Sequence, residues 1–285
     1  MKPEIVADVA SARRAVAGAR RRGLSIGLVP TMGALHAGHA SLLRAARKET
    51  GFVVVSVFVN PTQFGPHEDL ARYPRPFEQD VDLCRREGAD LIFHPEPAVM
   101  YPPGFRTWVE VHGLQDVLEG ASRPGHFRGV ATVVLKLFNI VQPDRAYFGQ
   151  KDAQQARIIR QMVRDLDVPV AVAVCPTVRE PDGLALSSRN QYLQPGQRRH
   201  AAALHAALEE GRRLVEGGER DPEAVRRAMA DRIAATPGAV LDYAAVVDAD
   251  SFLPPDRLRG RVLLALAVRF GATRLIDNLP LDCPA

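Results

Sequence analysis

Residues 52–59 read Phe-Val-Val-Val-Ser-Val-Phe-Val, an apolar run without polar alternation. A strand with one wet face alternates with period two. This run therefore predicts a strand covered on both faces, as in a parallel sheet flanked by helices. Neighbouring segments point the same way. Residues 26–29 (Ile-Gly-Leu-Val) read as a short strand, and helical periodicity begins near residue 38. A helix over 76–87 leads to a strand at 91–93. A helix over 131–141, a strand at 145–148, a helix over 153–165 and a strand at 170–174 complete the alternation. Such alternation predicts a Rossmann-like, doubly wound α/β sheet, with ligands at the carboxyl ends of its strands.

The pattern changes after about residue 178. Helical stretches over 195–216 and 222–235 precede strand-like segments at 241–247, 262–268 and 273–276. Helices followed by consecutive strands predict a second, smaller α+β domain with an antiparallel sheet. The expected domains are 1–178 and 179–285. Composition narrows the function classes. The net charge is only +4 over 285 residues, with no dense basic tract, so no nucleic-acid partner is expected. No apolar run is long enough to span a bilayer, so no membrane association is expected. The first five residues lack an apolar leader, and Cys84, Cys175 and Cys283 are odd in number and far apart. A reducing cytoplasm is the expected compartment.

The segment Pro30-Thr31-Met32-Gly33-Ala34-Leu35-His36-Ala37-Gly38-His39 carries the first chemistry. It joins a strand to a helix through a glycine-containing turn. Helix N-termini present N–H groups and a positive dipole end to phosphate. Two imidazoles three residues apart share a helical face and can donate to one group. A metal site is the competing reading, but metalloprotease pairs stand four apart around a glutamate. The segment reads as a nucleotide site; no metal ligand is assigned, and a solvated helix start also remains open.

Further polar clusters follow. Asn60 and Gln63, in Asn60-Pro61-Thr62-Gln63-Phe64-Gly65, offer uncharged donors and acceptors suited to hydroxyls and carboxylates, or to a capped turn. Arg123-Pro124-Gly125-His126-Phe127-Arg128-Gly129 reads as a loop concentrating three cation-capable side chains before a helix. Gly149, Gln150, Lys151, Asp152 and Gln155 repeat the strand, glycine turn and helix design. There Asp152 can cap the helix and Lys151 can meet a phosphate. Only four of the 37 basic residues are lysine. Ser187, Ser188 and Arg189 combine two hydroxyls with a guanidinium fork.

Taken together these segments resemble the pantoate–β-alanine ligase family over nearly the whole chain. The similar stretches are 30–39, 58–65, 73–75, 123–129, 148–155 and 186–193. The His-x-Gly-His element by itself resembles only the broader nucleotidyl-transferring superfamily that includes class I aminoacyl-tRNA synthetases. The family resemblance implies ATP-dependent ligation: pantoate and ATP give pantoyl adenylate and pyrophosphate, then β-alanine displaces AMP to give pantothenate. It implies ATP binding by Met32, Gly33, Ala34, Leu35, His36, Ala37, Gly38 and His39. Gly149, Gln150, Lys151, Asp152, Val178, Leu186, Ser187, Ser188 and Arg189 would complete that site. His36, His39, Lys151, Ser187, Ser188 and Arg189 form the implied catalytic set, with His39 as acid catalyst. Gln63 and Gln155 would hold pantoate, and Asn60, Arg123 and His126 complete the candidate substrate-binding set. The resemblance also implies Mg2+ and a homodimer. Two positions depart from the family pattern: Gln150 stands where glutamate is common, and Leu186 where methionine is frequent. A nucleotidylyltransferase acting on a phosphate acceptor and a non-catalytic nucleotide-binding module remain the alternatives.

Overall fold

The computed structural model describes residues 2–66 and 68–283; Met1, His67 and the final two positions of the expected domain ranges lie outside them. Contacts divide the chain into two units, Met1–Gln150 with Gln154–Pro176, and Lys151–Ala153 with Thr177–Ala285.

The first unit contains six parallel strands, β1 (Glu4–Val6), β2 (Ile26–Thr31), β3 (Phe52–Val57), β4 (Leu91–Phe93), β5 (Arg145–Gly149) and β6 (Ala171–Cys175), in the order β1-β4-β3-β2-β5-β6. Every residue of β3 is buried, as its unbroken apolar run requires. Full burial of each of its valines contributes about 1.5–3 kcal/mol relative to exposure. The helices of this part of the chain are α1 (Val9–Arg21), α2 (Ala37–Glu49), α3 (Phe77–Arg86), α4 (Pro97–Met100), α5 (Glu119–Ser122), α6 (His126–Val141) and α7 (Ala153–Asp165). Leu42, Leu43 and Ala46 of α2 and Cys84 of α3 pack with Val29, Val53, Val55, Ile92 and Tyr147. Helices α1 and α6 pack together and against β2. From β2 the chain winds one way through β3 and β4, then returns to β5 and β6. The order thus reverses between β2 and β5, whose carboxyl ends are Thr31 and Gly149, where doubly wound sheets bind ligands.

Four elements, β1, α1, α4 and α5, have no counterpart among the expected segments. Strand β1 is three residues long. Helix α1 is started by Asp8, which accepts from Ser11 N at 2.8 Å, and it ends on Arg20 and Arg21 beside the negative dipole end. Helix α6 starts five residues before the expected 131, so His126 lies in its first turn rather than on a loop.

The second unit is an antiparallel sheet, β7 (Ala239–Asp248), β8 (Gly260–Phe270) and β9 (Thr273–Cys283), in that order. Helices α8 (Pro195–Ala201), α9 (Ala203–Glu216) and α10 (Pro222–Ala234) contribute Ala201, Leu204, Leu208, Val225, Met229 and Ile233 to its core. The helical stretch expected over 195–216 is broken at Ala202. Strand β9 runs seven residues beyond the expected 276, through Pro280. Proline is tolerated there because β9 is an edge strand.

Candidate active site

The turn joining β2 to α2 is built on Thr31, whose Oγ1 donates to Ser56 O at 2.7 Å and accepts from Gly33 N at 3.1 Å. Gly33 has φ +80°. A Cβ there would lie 2.9 Å from Asp80 Oδ2 and 3.1 Å from Val57 Cγ1, so backbone and space both require glycine. Ala34 follows at φ +50°, which costs a non-glycine residue about 1–3 kcal/mol. Asp80, 2% exposed in the first turn of α3, offsets that cost. Its carboxylate accepts from Ala34 N at 2.9 Å and Leu35 N at 2.7 Å. Burial pushes the Asp80 carboxyl above the usual carboxylate range, and the two N–H donors oppose the shift. Sequence reasoning gave Asp80 no role, because its partners lie 46 and 45 residues earlier.

Helix α2 begins on the two histidines. His36 is the N-cap, and its Nδ1 accepts from Gly38 N at 3.1 Å. His39 Nδ1 reaches back to accept from His36 N at 3.2 Å. This is a capping box in which imidazoles replace the usual hydroxyl and carboxylate. The ring centres stand 4.1 Å apart with planes inclined by 45°. With each Nδ1 accepting, the hydrogen of each neutral ring sits on Nε2. Both Nδ1 atoms are thus committed to the backbone of one helix start.

Beyond β3, the turn at Pro61–Gln63 is held by Asn60, which is 1% exposed. Asn60 Oδ1 accepts from Thr62 N (3.4 Å), Thr62 Oγ1 (2.9 Å) and Tyr101 OH (2.9 Å). Its Nδ2 donates to Gln63 Oε1 (3.0 Å) and Gly129 O (3.2 Å). Asn60 therefore meets protein groups on all sides, and its amide orients Gln63. Burial pushes the Tyr101 phenol up, keeping it a donor to Asn60. Gln63 Nε2 donates to Met32 Sδ at 3.1 Å. Gly129 permits the close approach of α6, since a Cβ there would sit 2.5 Å from Thr62 O.

Arg123 and His126 buttress the same turn. The Arg123 guanidinium forks onto Glu68 at 2.8 and 2.6 Å and donates to His126 Nε2 at 3.0 Å. His126 Nδ1 then donates to Gln63 O at 2.8 Å. Burial, with the Arg123 charge beside it, lowers the His126 pKa to about 4, so the ring is neutral. Of the three expected cations, His126 is a neutral ring, Arg123 is paired with Glu68, and Arg128 stands over the Trp108 ring at 5.0 Å. Gln154 is 5% exposed and spends its amide on Glu119 N, Leu114 O and Val117 O. Its neighbour Gln155, in the same first turn of α7, has no side-chain hydrogen bond among the described residues.

In the second unit, Lys151 lies in the short turn Gln150–Asp152. Its Nζ stands 3.7 Å from Asp152 Oδ1. Lys151 O accepts from Asn278 Nδ2 at 2.8 Å. Leu186 N donates to Val178 O at 3.0 Å, closing a hairpin with the Arg179–Ala185 bridge. Arg179 forks onto the Asp277 carboxylate at 2.6 and 2.9 Å. Ser187 caps the turn Ser188–Tyr192, its Oγ accepting from Arg189 N at 3.3 Å. Hydrogen bonds thus join Met32, Asn60, Gln63, Arg123 and His126 in one chain of the first unit, with His36 and His39 a second cluster there. Sequence reasoning missed Asp80, Glu68, Tyr101, Gln154, Asp277 and Asn278. The one local signal was the Asp277-Asn278 pair between the apolar residues Leu275, Ile276 and Leu279.

The family model described as pantoate-beta-alanine ligase matches residues 4–280. A pantothenate synthetase of Moorella thermoacetica is 60% identical over 279 residues, covering 98% of this chain and 99% of the relative. A crystal structure of pantothenate synthetase from Thermus thermophilus superposes with a TM-score of 0.91 at 48% identity, covering 97% of this chain and 98% of that one. The pantoate-beta-alanine ligase of Francisella tularensis, complexed with beta-gamma ATP and beta-alanine, superposes with a TM-score of 0.80 at 35% identity over 97% of both chains.

Proposed function

The chain belongs to the pantoate-beta-alanine ligase family, and from that membership we propose that it condenses pantoate with β-alanine at the expense of ATP. The observation that carries this reading into chemistry is the paired-imidazole start of α2. Negative charge gathers on the α-phosphate and the departing pyrophosphate, and fixed donors aimed there favour the transition state. A helix dipole contributes only about 0.3–2 kcal/mol to a nearby charge, whereas one oriented donor contributes about 3–4 kcal/mol. The two Nε2–H groups of His36 and His39 are such donors, with His39 as acid catalyst.

The remaining assignments follow the same logic. Met32, Gly33, Ala34, Leu35, Ala37 and Gly38 supply the backbone against the nucleotide, and Gly149 and Gln150 of the first unit join them. The second unit adds Lys151, Asp152, Val178, Leu186, Ser187, Ser188 and Arg189. Gln63 and Gln155 hold pantoate, because an uncharged amide orients a carboxylate without weakening it as a nucleophile. A thioether is a weak acceptor, so Gln63 Nε2 exchanges Met32 for a substrate oxygen at little cost. Asn60, Arg123 and His126 act one step back by holding Gln63. The pantoate carboxylate attacks the α-phosphorus and pyrophosphate leaves. The β-alanine nitrogen then attacks the acyl carbon, AMP leaves and the amine loses its proton.

No cluster of three or more His, Cys, Asp or Glu able to hold a metal occurs among the described residues. Magnesium ordinarily keeps one or two carboxylates alongside substrate phosphates and water. The proposal has Mg2+ arrive on ATP, whose phosphates and bound water would supply its ligands. A cytoplasmic homodimer completes the proposal, as the family resemblance implies; the three cysteines are free. The deciding experiment is AMP formation from ATP, Mg2+, D-pantoate and β-alanine with each omitted in turn. Amide and AMP from the complete mixture alone, with pyrophosphate released by pantoate and ATP, is the expected result. An adenylylated phosphate acceptor, or no turnover by folded protein, overturns it.

A further inference from the structure

We infer that Asn278 is a positioning residue for Lys151, and that the Asp277-Asn278 peptide is the anchor from which the second unit aims its phosphate-side groups. The inference rests on the reading that Lys151 meets the nucleotide. Asn278 lies on β9, is 5% exposed, and donates through Nδ2 to Lys151 O across 127 residues of chain. The tripeptide Lys151–Ala153 groups with the second unit although the residues on both sides group with the first. Asn278 ties that tripeptide to the antiparallel sheet.

The adjacent Asp277, 2% exposed, fixes the other side. Its carboxylate takes the Arg179 fork and also accepts from Asn278 N at 2.8 Å. Arg179 Nη1 donates onward to Gly183 O at 3.0 Å. Arg179 also opens the hairpin that leads through Leu186 to Ser187, Ser188 and Arg189. Two neighbouring residues of one strand therefore hold the Lys151 turn and the stem of the Ser187–Arg189 turn. A buried amide costs free energy unless its hydrogen bonds are made. Strand β9 carries this one at the position whose cross-strand partner is Ala265. Its partners set a fixed spacing between the Lys151 turn and the hydroxyl and guanidinium cluster. Such spacing matters for phosphoryl chemistry, where a displacement of about 1 Å can cost about 100-fold in rate.

The test is a double-mutant cycle of Asn278 and Lys151 on pantoate-dependent pyrophosphate release, with aminolysis of preformed pantoyl adenylate as the second readout. Asn278→Ala should lower kcat for pyrophosphate release about 10–100-fold and leave the β-alanine KM of aminolysis unchanged. In the Lys151→Ala background the same substitution should cost less than about threefold, because the side chain it positions is gone. Asn278→Leu keeps a similar volume and removes the donor without adding charge, so it is read in the same cycle if the alanine variant unfolds. Equal losses with and without Lys151 overturn the positioning role. If Lys151→Ala itself leaves pyrophosphate release intact, the reading of Lys151 fails instead.

Discussion

Gln63 Nε2 donates to Met32 Sδ at 3.1 Å, which ties the segment after β3 to the segment after β2 at the carboxyl edge of the sheet. Asn60 fixes the opposite end of the same amide, so the donor direction is set. Gln63→Glu should raise the pantoate KM more than tenfold and leave ATP affinity unchanged, because a carboxylate repels the substrate carboxylate. Met32→Leu removes the sulfur at similar volume and should cost less than about 1.5 kcal/mol of stability. Steady-state kinetics and urea unfolding check the pair. An unchanged pantoate KM in the glutamate variant would remove Gln63 from the substrate site.

Asp80 holds the strained turn through two backbone N–H groups. Asp80→Asn keeps the shape but offers one acceptor and one donor to two donors. One N–H is then left unsatisfied, for a loss of about 1–3 kcal/mol. The expected result is a lower Tm and weaker ATP binding by calorimetry. Full stability and full affinity together would show that the turn holds itself.

The two roles of His36 can be separated. Asparagine is a good N-cap, whereas alanine costs about 0.5–2 kcal/mol at that position. His36→Asn should therefore keep near-native stability, His36→Ala should lose it, and both should lose pyrophosphate release. Activity retained by the asparagine variant would restrict His36 to capping.

Stability should fall in mild acid through His126. Its folded pKa, about 4, lies below the ordinary histidine value of 6.5, so the unfolded chain binds more protons between those values. The contribution is complete above pH 6.5 and is lost as the pH falls towards 4; a shift of this size corresponds to about 3 kcal/mol. The groups facing the ring are Arg123, Glu68, Glu119 and the Gln63 carbonyl. Urea unfolding at pH about 7.5 and about 5, above and within that window, should show a fall in the wild type that His126→Asn flattens, since asparagine keeps a donor without titrating. Equal slopes would place the acid sensitivity elsewhere.

Local patterning was enough for β3, whose apolar run left no wet face, and for α7, whose helical spacing runs from 153 to 165. It was also enough for the strand–turn–helix around Gly33, because turn, glycine and helix start are adjacent in the chain. It failed where long-range pairing decides. Pro280 looks like a strand terminator until β9 is seen to be an edge. Helix α1 carries mostly alanine and arginine, so its buried stripe of Ala12, Val16 and Ala19 is too weak to stand out. Asn60, Arg123 and His126 drew attention by residue type, yet type alone does not tell a group facing a ligand from one buried behind it. Gln154 and Gln155 show this most sharply: identical neighbours, one with its amide spent on backbone groups and the other without a side-chain hydrogen bond among the described residues.

The placement of Lys151–Ala153 in the second unit bears on how such a protein could be dissected. A single cut near residue 178 would release a fragment carrying Lys151 without Asn278 and another carrying Asn278 without its carbonyl. Neither half would be a self-sufficient module for recombination. Grafting the second unit onto a foreign nucleotide-binding sheet with its Asn278 contact intact would have to bring the three-residue excursion with it.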